Sequence, residues 1–135
     1  MMNVEIISVG DELLIGQTVN TNASWMGEQL LAIGVHVQWV TTVGDSRRAL
    51  IQCLEIAESR ADVVLMTGGL GPTHDDITKK VACDYFGASL VMNEDILEQV
   101  RERFRRRGIK MVSINEEQAL VPDSAEIMRN EQGTA

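Results

Sequence analysis

An α/β fold built on a parallel sheet is what this sequence predicts, and three observations predict it. Short, β-branched apolar runs alternate with helix-length amphipathic segments in the order strand, helix, strand, helix, strand. The strand runs are apolar almost without interruption, the pattern of strands covered on both faces by helices. A glycine-rich turn leaves the third run and opens a further helix. The sheet is thus sandwiched between helices, each crossover is right-handed, and ligands collect at the carboxyl ends of the strands.

The first run, Val4–Val9, closes at Gly10 and reads as a buried strand. A loop over residues 11–19 follows. Asn20 or Thr21 then caps a helix on which Ala23, Met26, Leu30 and Ile33 recur near helical spacing, with Gly34 at the position of a C-terminal glycine. Residues 35–43 return as a strand alternating at Val35, Val37, Trp39 and Thr41. Gly44, Asp45 and Ser46 supply a turn and a cap for a helix over Arg47–Arg60 that buries Leu50, Cys53, Leu54 and Ala57. Residues 63–66 form the third strand.

Past the glycine turn, residues 77–86 read as a helix closed by Gly87, and Asn93 caps another through Ile96, Leu97, Val100 and Phe104 to Gly108. Ser113 and Glu116 have capping-box spacing, which predicts a short helix over residues 114–120, ended by Pro122. Residues 125–128 suit a strand and residues 130–133 a turn. No repeat or low-complexity segment interrupts the pattern, and a length of 135 residues fits one domain over residues 1–135.

Composition narrows the partners. A net charge of -8 with few aromatic residues argues against nucleic acid, whose phosphates such a surface repels. No segment has the run of about 18 apolar residues that a membrane span needs, and no basic stretch precedes a hydrophobic one at the start. Cys53 and Cys83 lie within apolar helical patterns and lack metal or disulfide spacing. The expectation is a soluble cytoplasmic domain without a membrane partner, its small-molecule ligand an anion held locally by backbone amides.

The loop from Thr67 through Gly68, Gly69, Leu70, Gly71, Pro72, Thr73, His74, Asp75, Asp76 and Ile77 to Thr78 is the place for that ligand. Its glycine amides and the helix N-terminus suit phosphate. It has no Gly-Lys-Ser/Thr and no GxGxxG spacing, so it is neither a Walker loop nor a dinucleotide fingerprint. The same residues also fit a tight strand-to-helix turn with Thr73 and Asp76 as a capping pair. Asp75 and Asp76 beside a phosphate call for a cation, and Mg2+ bound by one or two carboxylates plus ligand phosphates meets the need. Alternatively the two acids answer the helix dipole alone.

Asp11, Glu12 and Asp45 leave the first two strands on the same rim, although turn and cap duty also accounts for Asp45. Asn20 and Asn22 either reach the pocket or cap the helix. His74 is a lone loop histidine, and the arginines over residues 101–107 fit a solvated face matched to the helix dipole.

Taken together, Gly10-Asp11-Glu12-Leu13-Leu14-x-Gly16, Asn20-x-Asn22, Val43-Gly44-Asp45 and the Thr67-to-Thr78 motif resemble the N-terminal domain of the competence/damage-inducible protein A (CinA) family. That family lies within the molybdopterin-binding-domain superfamily, and the similarity covers essentially the whole chain. The resemblance implies a three-layer αβα sandwich with a mostly parallel sheet. It also implies a pyrophosphatase that uses Mg2+, Mn2+ or Co2+ on ADP-ribose-like nucleotides.

In such a site Thr67, Gly68, Gly69, Gly71, Pro72, Thr73, Thr78 and Asn22 would hold the ligand's phosphates. Asp75 and Asp76 would hold the metal, or Asp76 would orient the attacked phosphoryl group, and Asp45 and Asp11 would complete an acidic catalytic rim. Molybdopterin binding or adenylyl transfer, and a non-catalytic sensor of pterins or nucleotides, are the alternatives. The superfamily commonly forms homo-oligomers, dimers or trimers. Residues 130–135 resemble the start of the family's next motif, so the resemblance places the end of the sequence inside it. The nicotinamide mononucleotide deamidation associated with a C-terminal domain of longer members has no counterpart in these residues.

Overall fold

The computed structural model describes residues 2–133, and the chain divides into two compact units, one through Gly69 and one from Leu70. Thr134 and Ala135, on which part of the next-motif resemblance falls, lie outside the described residues.

The first unit is the alternating segment. β1 (Val4–Val9) lies between β2 (Val37–Val43) and β3 (Val63–Thr67) in a sheet whose strands are all parallel. The α/β class with a parallel sheet is therefore as expected. All six residues of β1 are buried, consistent with its central place, while every residue of β3 is half-buried. The apolar run of β3 thus belongs to a partly covered edge strand rather than one sealed on both faces. A register shift between Val4 and Glu5 admits one additional residue of β2, a bulge that lets Trp39 face Glu5.

Three helices join these strands. α1 (Asp11–Leu14) occupies a stretch expected to be loop, with Asp11 and Glu12 in its only turn. α2 (Thr21–Ala32) starts at Asn20, whose side chain accepts the Ala23 amide, and yields at Gly34, where φ is +80°. Of its expected core residues, Ala23 is buried and Met26 and Leu30 are half-buried, but Ile33 follows the last turn and is 74% exposed. α3 (Arg47–Arg60) is capped by Ser46 and buries Leu50, Cys53, Leu54 and Ala57, as its periodicity predicts.

One ion pair buries its acid in this unit. Glu5, wholly buried, receives Arg60 Nε and Nη2 at 2.8 Å each and the Thr41 hydroxyl at 2.6 Å, and the Arg60 guanidinium lies 4.8 Å from the centre of the Trp39 ring. A buried carboxylate is tolerable only when its lone pairs are engaged in this way. The Arg60 hydrogen bonds, with help from Thr41, hold its carboxyl below the usual range against the opposing effect of burial.

The second unit opens with α4 (Thr78–Tyr85) and contains an antiparallel pair, β4 (Leu90–Met92) with β5 (Leu120–Pro122). α5 (Glu94–Arg106) is capped by Asn93 and buries Leu97 and Val100. Two expectations are corrected here. α6 (Ser113–Glu116) ends early and is set not by Ser113 but by Asn115, whose side chain accepts the Val112 amide; a 3-10 turn, Glu117–Ala119, then leads directly into β5. Pro122 therefore ends a strand, in keeping with its missing N–H at a strand terminus. Residues 125–128 form no strand, while the expected turn at residues 130–133 is made by the Asn130 side chain, which accepts the Gln132 and Gly133 amides.

Candidate functional site

In the first unit the site begins where the parallel strands end. Each is followed by glycine: Gly10 after β1, Gly44 after β2 and Gly68 after β3. The register Val9 to Val43 and Ser8 to Thr67 brings these ends level. Asp11 and Asp45 meet there, the Asp11 amide donating to Asp45 Oδ2 at 3.1 Å and the Asp45 amide to Asp11 Oδ1 at 3.0 Å. The rim is therefore a reciprocal clasp between the start of α1 and the turn after β2 as well as a pair of acids.

At the end of β3, Asn22 donates through Nδ2 to Thr67 Oγ1 at 3.3 Å. Asn20, by contrast, is occupied within the fold, capping α2 and donating to the buried Ser8 hydroxyl at 2.9 Å. Ser8 escaped sequence reasoning; the one available signal was a hydroxyl in an otherwise apolar run just before the strand's end. Gly68 and Gly69 have φ of +89° and +61°, and a Cβ on Gly68 would collide with the Val9 carbonyl oxygen. Glycine is thus required at Gly68 on steric grounds.

The second unit holds the remainder of the loop. Asp76 Oδ2 accepts the Thr73 amide at 3.0 Å and the Thr73 hydroxyl in a short hydrogen bond, while the Asp76 amide donates to the Thr73 carbonyl at 3.1 Å. A Cβ on Gly71 would stand 2.6 Å from the same carboxylate oxygen. Donation by the Thr73 hydroxyl, with the Gly71 and Thr73 amides adding to it, holds the Asp76 carboxyl below its ordinary range although burial opposes this. Thr73 and Asp76 do pair, but not as the helix cap. The N-cap position of α4 is Ile77, which has no side-chain cap, so the pair closes the loop itself.

Gly71, Thr73, His74 and Asp75 are exposed, Pro72 is half-buried and Thr78 is 3% exposed. Among the described residues no three His, Cys, Asp or Glu side chains gather into a ready-made metal cage. One or two carboxylates with ligand phosphates need no such cage, and the oxygen donors of Asp75 and Asp76 suit a hard divalent cation.

Residues 5–131 match the family described as "Probable molybdopterin binding domain". The chain belongs to this family. Within the molybdopterin-binding-domain family it is CinA-like: it is 47% identical to a protein named competence-damage inducible in Caldicellulosiruptor saccharolyticus, over 99% of this chain and 33% of that one. It is also 44% identical to a CinA-like protein of Dictyoglomus turgidum, over 99% of this chain and 33% of its relative. The chain thus spans about one third of the length of the curated relatives it matches.

Among solved structures, CinA of Thermoplasma acidophilum superposes with a TM-score of 0.85 at 32% identity, covering 99% of this chain and 78% of that one. The molybdopterin biosynthesis enzyme MoaB of Thermus thermophilus shares the fold, with a TM-score of 0.59 at 19% identity over 90% of this chain and 79% of its own. The resemblance read from the motifs is thereby borne out. Among the described residues no helix is long and apolar enough to cross a membrane.

Proposed function

We propose that this CinA-like domain binds the diphosphate of an ADP-ribose-like nucleotide on residues 67–78 and, with a divalent cation, hydrolyses it. The observation that carries the reading is the main-chain geometry at Gly68 and Gly69, both left-handed, with Gly68 so close to the Val9 carbonyl that no side chain fits, which turns the glycine loop tightly beside the strand ends. The substrate class is what the motif resemblance to the CinA family implies.

In this reading Asp76 keeps the loop in its binding shape through Thr73, and exposed Asp75 offers carboxylate oxygens to the cation. Such a cation, when bound, neutralises charge on the phosphoryl oxygens. Water adds to one phosphorus, the bridging P–O bond breaks, and AMP and ribose 5-phosphate leave as dianions with the release of two protons. Asp11 and Asp45, clasped to each other's amides, form the acidic rim of this reaction.

A second reading, in which a molybdopterin-like pterin phosphate binds without hydrolysis, is favoured by the family's description and by the MoaB likeness in fold. AMP release from ADP-ribose with Mg2+, Mn2+ or Co2+ separates the two. Asp76→Ala is expected to lower the rate about a hundredfold, the scale on which a preorganised site loses catalysis when a polar group is removed. Equal rates for the two proteins would remove Asp76 from the assignment. Thermal stabilisation by a pterin phosphate without turnover of ADP-ribose would favour the second reading.

A further inference from the structure

The second unit contains an open cleft of about 920 Å³ whose lining starts at Leu70, within the glycine loop. That volume suits a nucleotide-sized ligand. Its cations and its acids are partnered differently. Lys79 donates to the Glu117 and Gln118 carbonyls at 3.4 and 3.5 Å and Arg103 to the Asn130 and Glu131 carbonyls at 3.3 and 2.8 Å, while Arg129 faces the Gln99 side-chain amide, whose oxygen accepts from it once the amide is turned. These acceptors are neutral. Among the described residues none of the three cations forms an ion pair with a carboxylate.

The acids Glu98 and Glu102, on the same lining, are instead neutralised by Arg101, Arg105 and Arg106. That leaves Asp95 and Glu126 on the lining, with Glu117 acting on Lys79 at longer range, beside three cations that touch no carboxylate. In a chain with a net charge of -8, three cations on one lining without a carboxylate contact stand out. Lys79 is half-buried, and burial depresses its ammonium below the ordinary lysine value. A half-desolvated ammonium whose hydrogen-bond acceptors are carbonyls, with the Glu117 carboxylate acting on it only at a distance, gains from an anion.

We infer that this cleft is an anion-binding subsite for a phosphorylated small molecule, with Lys79 and Arg129 supplying the counter-charge. The inference deepens the proposed nucleotide binding, and it rests on that reading for the link between the cleft and the loop that shares Leu70 with it.

The test is calorimetric titration with inorganic pyrophosphate and no metal, on the wild type, Lys79→Met, Lys79→Arg, Arg129→Met and Arg106→Met. Affinity is expected to fall at least about tenfold in Lys79→Met and Arg129→Met, to be largely restored in Lys79→Arg, and to be unchanged in Arg106→Met, whose guanidinium is already paired with Glu102. Melting curves on each variant confirm that folded protein is compared. No binding by the wild type, or equal binding by Lys79→Met and the wild type, overturns the subsite. An equal loss in Arg106→Met overturns it too, because attraction to general positive charge would then explain the binding. AMP release with unaltered Lys79→Met binding would leave the hydrolase reading standing and this one fallen; the opposite pair of results would leave the subsite without hydrolysis.

Discussion

The two halves of the glycine loop are held in shape by different forces. At Gly68 the constraint is steric: the chain turns with positive φ and lies so close to the Val9 carbonyl, on the wholly buried β1, that no side chain fits. At Gly71 it is polar, since the neighbour that excludes a Cβ is the Asp76 carboxylate, itself held by Thr73. A steric lock against a packed strand responds little to pH or ligand, because cores are bistable rather than pliant. A carboxylate clamp on an exposed loop can be loosened by protonation or competed for by a cation. The first half is scaffold, and the second is the part of the loop free to adjust.

Substitution tests that contrast most sharply. Gly68→Ala meets both positive φ and the Val9 carbonyl and is expected to lower stability by well over about 1 kcal/mol, measured by urea unfolding. Gly71→Ala has no positive φ to oppose and needs only the Asp76 carboxylate to move, so its loss of stability is expected to be smaller while ligand affinity falls. Equal losses of stability from the two changes would break the distinction.

A smaller effect appears on the acid side. Glu5 and Asp76 both have carboxyls held below their ordinary values, so each stabilises the fold at neutral pH. Each contribution begins to fade as pH falls below the unfolded values, 4.5 for Glu5 and 3.8 for Asp76, and is lost as pH falls through the folded ones. Glu5→Gln and Asp76→Asn should each flatten the decline of unfolding free energy in acid. Flattening is expected to be greater for Glu5, sealed in the core, than for Asp76 on the loop. A wild-type slope in Glu5→Gln would show that the buried pair gives no pH-dependent stability.

Much of the first unit was legible in the sequence because its signals are local. Ser46 as a cap, the burial face of α3 and the glycine after each strand all follow from spacing. Glu5 was not legible, since a carboxylate within an apolar strand reveals nothing of an arginine 55 residues away. In the second unit the antiparallel β4 and β5 were missed because each has three residues, too few for a period, and the second begins where a helix was expected to end. At the site, sequence marked the loop and its acids and offered a helix cap by Thr73 and Asp76 as an alternative to ligand binding. Only coordinates show that the pair closes the loop ahead of the helix.

The account stands or falls on whether the main chain of this loop receives the ligand's phosphates. Backbone amide resonances followed during titration with ADP-ribose and Mg2+ test it most directly. The account predicts the largest shifts at Gly68, Gly69, Gly71 and Thr73. Saturable binding that leaves those four amides unmoved while shifting others would contradict it.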